Sequence, residues 1–207
     1  MMDYKAVFLK AFENIKRPGA DSLLVWLLEE TDFFTAPASA RFHGSRPGGL
    51  VEHSVNVYDR LMEIAEREFR EMGEEGIPPL AIEPLAIMSM LHDLCKVNVY
   101  HEEVKRRKNA ETGLWEEYAG YSYRDDLPLG HGEKSVYLIM RFMELNEEEA
   151  LAIRWHMGAY DNAARGGSGT LTAAMESTEL VWWLQEADMC ATHIDEREAI
   201  SDEWPRS

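Results

Sequence analysis

The chain has 207 residues. Since a domain takes roughly 100 to 200 residues, this length predicts a single domain over 1–207 and excludes two enzymes in tandem. Its 38 acidic and 21 basic residues give a net charge of −17, which repels polyanions and disfavours long nucleic acid or an anionic membrane as a partner. A hydrophobic content of 45% is enough for a packed core and excludes a generally disordered chain.

The amino terminus and the cysteines predict a compartment. Charges at Asp3, Lys5 and Lys10 interrupt the first segment, so it has neither the pattern of a signal peptide nor that of a membrane anchor. Cys95 and Cys190 lie far apart without CxxC spacing, which suits a reducing environment better than a disulfide scaffold. We therefore expect a cytoplasmic protein.

The first elements in the chain are two amphipathic segments. Residues 4–16 and 21–34 carry apolar residues at helical spacing, and Arg17-Pro18-Gly19 separates them. This pattern predicts an N-terminal helical hairpin over 1–34. A loop rich in Ala, Ser, Pro and Gly follows over 35–49.

Two further helices are predicted in the middle of the chain. A long amphipathic helix runs from Leu50 to about Glu71. From Pro84 the chain is almost wholly apolar until it meets His92 and Asp93. This contrast predicts a buried helix that delivers two polar residues to an interior site.

The segment at about 97–124 has a different pattern. β-Branched and aromatic residues alternate with polar ones on both sides of Asn109–Gly113, which has turn chemistry, so we expect a β-hairpin. The hairpin contains the basic run Lys105–Lys108. This run could guide a phosphorylated ligand, but a solvated hairpin face is the favoured interpretation.

Helical patterns resume after the hairpin. They cover about 132–145, 147–157 and 173–197, with a glycine-rich loop between the last two. Asn146 and Glu149 have the spacing of a capping box at the start of the second helix.

Six polar residues lie beside these apolar helical segments and are candidates for one interior site. A buried carboxylate is costly unless it is paired or binds a metal, so both aspartates need cationic partners. Imidazole nitrogen and carboxylate oxygen are ligands for Zn, Fe, Mn, Co or Ni. The candidates are His53, His92, Asp93, His131, His156 and Asp188.

The order of these residues resembles that of a known family. The segments GGLVEHS, LHDLCK, LGHGEKS, RWHMG and EAD occur in the order of the HD-domain metal-dependent phosphohydrolases. The resemblance covers about 40–195 and implies an all-α HD-type helical bundle, here with the β-hairpin inserted.

The resemblance also implies ligand roles. In a first metal site the ligands would be His53, His92, Asp93 and Asp188. His131 and His156 match positions that give family members a second metal, with Asp93 bridging the two. The implied cofactor is therefore one or two divalent transition metal ions.

Further residues take roles in the substrate pocket or depart from the family pattern. Lys96 matches a family lysine that faces substrate phosphate, and Lys134 and His43 are candidate substrate contacts. Cys95 replaces the usual glycine, and we expect this to alter helix packing only. Met157 stands where some relatives have a second consecutive histidine, which leaves one or two metals open.

The predicted function is metal-dependent hydrolysis of a phosphomonoester or phosphodiester in a nucleotide or similar small phosphorylated substrate. Asp93 and Lys96 are the predicted catalytic residues. Two alternatives stay open: a di-iron HD-type oxygenase, which would consume O₂, and a non-catalytic nucleotide-binding HD module.

Overall fold

The structure is a computed structural model that describes residues 2–41, 44–109 and 112–197. The described chain is mostly helical, and its strands form one two-stranded hairpin. The expected all-α architecture with an inserted β-hairpin is therefore confirmed.

Two short helices open the fold. Helix α1 covers Tyr4–Phe12, and the Asp3 side chain accepts a hydrogen bond from the backbone N–H of Ala6 at its start. Helix α2 covers Ala20–Glu29 and follows Gly19, whose φ is +93°. A side chain at Gly19 would collide with the Phe142 carbonyl, so only glycine allows this close turn.

The next two helices form the centre of the bundle. Helix α3 covers Gly49–Glu71 and helix α4 covers Pro79–Leu91. Helix α4 thus begins five residues before the predicted start at Pro84, because Pro79 at the first helical position has a φ already suited to a helix. Pro84 lacks the N–H that would bond the carbonyl of Leu80, a residue exposed to water.

The β-hairpin lies where the alternating pattern predicted it. Strand β1 covers Tyr100–Lys108 and strand β2 covers Trp115–Tyr123, paired antiparallel from Tyr100 opposite Tyr123 to Lys108 opposite Trp115.

Acidic residues of the hairpin neutralise its basic run. Arg106 pairs with Glu117 at 2.8 Å and Arg107 pairs with Glu116 at 2.6 Å across the two strands. Both arginines remain well exposed. These contacts favour a solvated hairpin face over a guide for anions.

Helices α5 and α6 follow the hairpin. Helix α5 covers His131–Met140, shorter than the predicted 132–145, and helix α6 covers Glu147–Trp155. The predicted capping box is present at the start of α6: the Asn146 side chain accepts from the Glu149 N–H, and the Glu149 side chain accepts from the Asn146 N–H.

The prediction of one continuous helix over 173–197 was wrong. The chain instead forms α8 over Thr170–Ser177 and α9 over Leu180–Cys190, after a single helical turn, α7, at Asn162–Arg165. The break lies at Thr178, whose backbone is extended and whose hydroxyl accepts from the N–H of Leu180. Threonine competes in this way with helical hydrogen bonding, and the pattern of apolar residues does not reveal it.

The main hydrophobic core lies around α3. This helix packs against α1, α4 and α9, and the largest fully buried side chains of the core include Leu61, Leu85, Ile87 and Leu91. Among the described residues, no helix combines the length and the apolar character needed to cross a membrane.

Candidate metal centre

The structure brings all six predicted ligands together, and each comes from a helix or its end. His53 lies near the start of α3, and His92 and Asp93 follow α4 directly. His131 is the first residue of α5, and His156 ends α6. Asp188 lies in the last turns of α9.

The carboxylate of Asp93 lies between two sets of imidazole nitrogens. Its Oδ2 is 3.3 Å from Nε2 of His53 and 3.5 Å from Nε2 of His92. Its Oδ1 is 2.8 Å from Nε2 of His131 and 3.7 Å from Nε2 of His156. Asp93 therefore separates a first half-site, with His53, His92 and Asp188, from a second half-site, with His131 and His156.

The first half-site is compact and buried. Nε2 of His53 lies 3.2 Å from Oδ1 of Asp188 and 3.2 Å from Nε2 of His92. His53, His92 and Asp188 each offer one ligand atom, and these atoms all lie within 4.8 Å of one another. Such spacing allows one ion to contact all three.

In two histidines, a hydrogen bond from Nδ1 to the backbone leaves Nε2 as an acceptor. Nδ1 of His92 donates to the carbonyl of Ser89 at 2.8 Å, and Nδ1 of His156 donates to the carbonyl of Ile153 at 2.7 Å. Because a carbonyl only accepts, each neutral ring carries its proton on Nδ1 and presents an unprotonated Nε2. This is the tautomer that binds metal.

The second half-site contains a buried nitrogen that lacks a hydrogen bond. His156 is 1% exposed, and its Nε2 has no hydrogen-bond partner among the described residues. An unsatisfied buried polar atom costs about 1–3 kcal/mol. A lone pair that faces a carboxylate is also repulsive, so the donor set fits a cation between His156 and Asp93.

The pKa shifts in the first half-site also indicate that its buried carboxylates need positive charge beside them. Burial lowers the pKa of His92 to about 3, so this ring is neutral. Burial likewise opposes protonation of His53, yet its bonds to Asp188, Asp93 and Glu196 raise its pKa well above its ordinary value. Burial opposes ionisation of Asp188, but the bond with His53 lowers its pKa below its usual range. The buried carboxylates thus require a cation beside them.

Comparison with known proteins agrees with this geometry. A family model for the HD domain matches residues 50–193, which is well over half of the chain. The chain belongs to the HD-domain family. HD-domain proteins are in general metal-dependent hydrolases, and this chain has His and Asp residues positioned to hold a metal. No curated protein and no solved structure matches the chain.

Lys96 of this HD domain lies against the carboxylate of Asp93. Its Nζ is 2.6 Å from Oδ2 of Asp93, and its side chain is 12% exposed. Burial lowers the pKa of Lys96, but the charge of Asp93 outweighs this and raises the pKa above its ordinary value. Burial opposes ionisation of Asp93, while the charge of Lys96 and the hydrogen bond with His131 hold its pKa well below its usual range.

The other two predicted substrate contacts have different surroundings. Lys134 is buried, and its Nζ lies 2.6 Å from Oδ1 of Asp125, whose Oδ2 accepts a hydrogen bond from the Tyr123 hydroxyl at 3.1 Å. The contacts of Lys134 are thus with the end of the hairpin. His43 lies outside the residues that the structure describes.

Sequence reasoning missed Glu196, which contacts a candidate ligand of the HD centre. Nδ1 of His53 donates to Oε1 of Glu196 at 2.9 Å, and Asn56 donates to the same oxygen at 3.1 Å. The sequence contains no signal for this role, because Glu196 is one of several acidic residues near the end of the chain.

Sequence reasoning also missed the part played by Gly132 and Cys95. A side chain at Gly132 would lie 2.2 Å from the carbonyl oxygen of Arg154, so glycine lets α5 approach α6 closely enough to bring His131 beside His156. Cys95 was expected to affect packing only, but its Sγ lies 3.3 Å from Nδ1 of His131.

Proposed function

We propose that the protein is a metal-dependent phosphohydrolase that cleaves a phosphomonoester or phosphodiester bond in a nucleotide or similar small phosphorylated substrate. The observation that carries the proposal is the carboxylate of Asp93, which faces imidazole nitrogens on both sides and a lysine ammonium group. This arrangement combines two possible cation sites with a basic side chain beside one shared carboxylate.

The ligand set suits one or two divalent transition metal ions, such as Mn, Fe, Co, Ni or Zn, and such an ion would polarise a phosphoryl oxygen and make water a better nucleophile. The backbone of the chain holds two of the candidate ligand rings in fixed positions. Nδ1 bonds to backbone carbonyls hold the rings of His92 and His156, so neither ring must reorient when the site is used.

Lys96 is the proposed contact for the phosphoryl group. An ammonium group has three N–H donors, so its bond to Asp93 leaves donors for a phosphoryl oxygen. Its charge would stabilise the negative charge that develops on these oxygens during hydrolysis. Lys134 and His43 remain predictions as further substrate contacts.

The charge of the chain favours a small substrate. A net charge of −17 repels a long polyanion along its whole length, whereas a small phosphorylated molecule meets mainly the local cations of the site. We therefore place nucleotides and small phosphodiesters ahead of nucleic acid.

The test is a hydrolysis assay of the purified protein with Mn²⁺, Co²⁺, Ni²⁺ or Zn²⁺, using bis-p-nitrophenyl phosphate and a panel of nucleotides and small phosphodiesters. We expect turnover with at least one metal. Asp93→Asn should lower kcat/KM about a hundredfold or more, because a metal ion contributes several kcal/mol to phosphoryl transfer. Asp21→Asn, an exposed aspartate in the first turn of α2, is the matched control and should keep full activity.

Two results would contradict the proposal. One is undiminished hydrolysis by Asp93→Asn. The other is iron-bound protein that consumes O₂ on turnover and hydrolyses nothing in the panel, which would indicate the oxygenase instead.

A further inference from the structure

Cys95 lies at the edge of the second half-site and is held there by the fold. It is buried in a short 3₁₀ turn, Leu94–Lys96, directly after Asp93. Its backbone N–H donates to the hydroxyl of Ser135 at 3.0 Å, which ties this turn to α5. Its Sγ lies 3.3 Å from Nδ1 and 3.7 Å from Nε2 of His131.

One of these distances is close to that between two ligands of one ion. With bonds of about 2.0–2.1 Å to nitrogen and 2.3 Å to sulfur, two tetrahedral ligands lie about 3.6 Å apart. The separation of 3.7 Å between Sγ of Cys95 and Nε2 of His131 is close to this value, but Sγ lies nearer to Nδ1, so the ring of His131 must turn for Nε2 and Sγ to face one ion. Asp93, Cys95 and His131 also offer ligand atoms that all lie within 4.8 Å of one another.

A second observation points to a ligand at the same place. Nε2 of His156 is buried, lacks a hydrogen-bond partner among the described residues and lies 3.7 Å from Oδ1 of Asp93. The ring of His156 is next to that of His131, with centroids 5.1 Å apart. The nitrogens of His131 and His156 thus both lie beside Oδ1 of Asp93, and the sulfur of Cys95 lies beside the first of these two rings.

We propose that Cys95 is a thiolate ligand of a divalent metal ion in the second half-site. The inference rests on the metal centre of the proposed hydrolase, but it does not require that the centre hydrolyse any particular substrate. On binding, the thiol releases its proton to solvent and sulfur donates an electron pair to the ion, with no change of oxidation state.

A sulfur ligand changes the choice of metal. Thiolate is soft and favours Zn²⁺, Co²⁺ or Fe²⁺, whereas a site of imidazole and carboxylate alone also accepts Mn²⁺ readily. We therefore expect the two half-sites to differ in selectivity, with the softer metal in the second.

The test uses Co²⁺ added to the full chain after treatment with a chelator. Thiolate bound to Co²⁺ gives a charge-transfer band in the near ultraviolet that imidazole and carboxylate ligands do not give. We expect this band in the unaltered protein and its loss in Cys95→Ser and in Cys95→Ala. Cys190→Ser, which removes the other cysteine, is the matched control and should keep the band.

The outcomes separate this inference from the proposed function. Cobalt that binds without the band, or a band that persists in Cys95→Ser and disappears in Cys190→Ser, would overturn the thiolate ligand and leave the hydrolase standing. A band without hydrolysis of any substrate would support the ligand and count against the hydrolase. Protein that binds no cobalt would overturn the thiolate ligand, and the hydrolysis assay with Mn²⁺, Ni²⁺ and Zn²⁺ would then decide on the hydrolase alone. The unaltered protein and Cys190→Ser decide the matter even if the Cys95 variants fold poorly.

Discussion

The ring of His53 is held by Glu196, which contacts the ring nitrogen that faces away from the centre. Its Nδ1 donates to Glu196, so its Nε2 is directed at Asp93 and Asp188. Partners of this kind fix the ring of a metal-binding histidine and make its other nitrogen a better ligand. Glu196 is therefore a positioning residue.

Removing this carboxylate should weaken metal binding without abolishing it. We expect Glu196→Ala to raise the Kd for Mn²⁺ or Co²⁺ about 10- to 100-fold, because the ring of His53 loses its fixed orientation. Glu196→Gln keeps an acceptor oxygen and should recover part of the affinity. Calorimetric titration measures both.

Glu186→Ala is the matched control, since Glu186 is a half-exposed acidic residue of α9 that pairs only weakly with Arg67 at 3.4 Å. An equal loss of affinity in this control would show that general charge, and not the bond to His53, is responsible.

At the scale of single residues, the sequence predicted which residues gather at the centre better than it predicted the residues that support them. His92, Asp93 and Asp188 interrupt apolar runs, and a polar residue in such a place needs a buried partner. Glu196 and Cys95 do not interrupt an apolar run in this way. Their positions depend on how distant segments approach each other, which local spacing does not encode.

At the scale of elements, the second half-site depends on the contact between α5 and α6. His131 begins α5 and His156 ends α6, so the two rings meet only if the helices approach closely. Gly132 makes this possible, because any side chain there would overlap the backbone of Arg154.

Gly132→Ala should therefore disturb both stability and the second half-site. Overpacking of this kind costs about 1–3 kcal/mol, and here the obstacle is backbone that cannot rotate away. We expect a lower free energy of unfolding in urea and a reduced ratio of bound metal to protein. The measurements are denaturant unfolding and metal analysis of the dialysed protein.

Gly169→Ala is the control, since a side chain there would have nothing within 4 Å and the backbone φ of −78° suits any residue. Its stability should change by less than about 0.5 kcal/mol. If both variants were equally stable, the close contact at Gly132 would not be what limits the approach of α5.

The elements themselves were largely predictable, and their boundaries were not. Amphipathic spacing predicted α3, and alternation predicted the hairpin, because both patterns repeat over many residues. The break at Thr178 and the early start of α4 at Pro79 each depend on one or two residues. Such local effects are too small to appear in a pattern that averages over a whole helix.

At the scale of the molecule, the centre joins distant parts of the chain. Its candidate ligands extend from His53 in α3 to Asp188 in α9, so an ion bound there would cross-link most of the bundle. The unfolded chain has no such arrangement, and metal binding is therefore coupled to folding.

We expect a divalent metal to stabilise the protein by an amount that rises with the logarithm of its concentration above the Kd. At a hundred times the Kd, one ion adds about 2.7 kcal/mol to the free energy of unfolding. Thermal unfolding with increasing Co²⁺ and then with excess chelator measures this effect. Asp93→Asn should show little increase in Tm with metal, and an increase equal to that of the unaltered protein would place the bound ion elsewhere.

The two histidines that end helices have a consequence for how this centre could change over evolution. His92 and His156 each use one nitrogen to cap a carbonyl of their own helix and leave the other for a ligand. A carboxylate in place of either ring would leave that carbonyl without its donor and would bring a negative charge to the negative end of the helix. Exchange of these two positions for the carboxylates that a calcium site favours would therefore cost a capping hydrogen bond at each helix end.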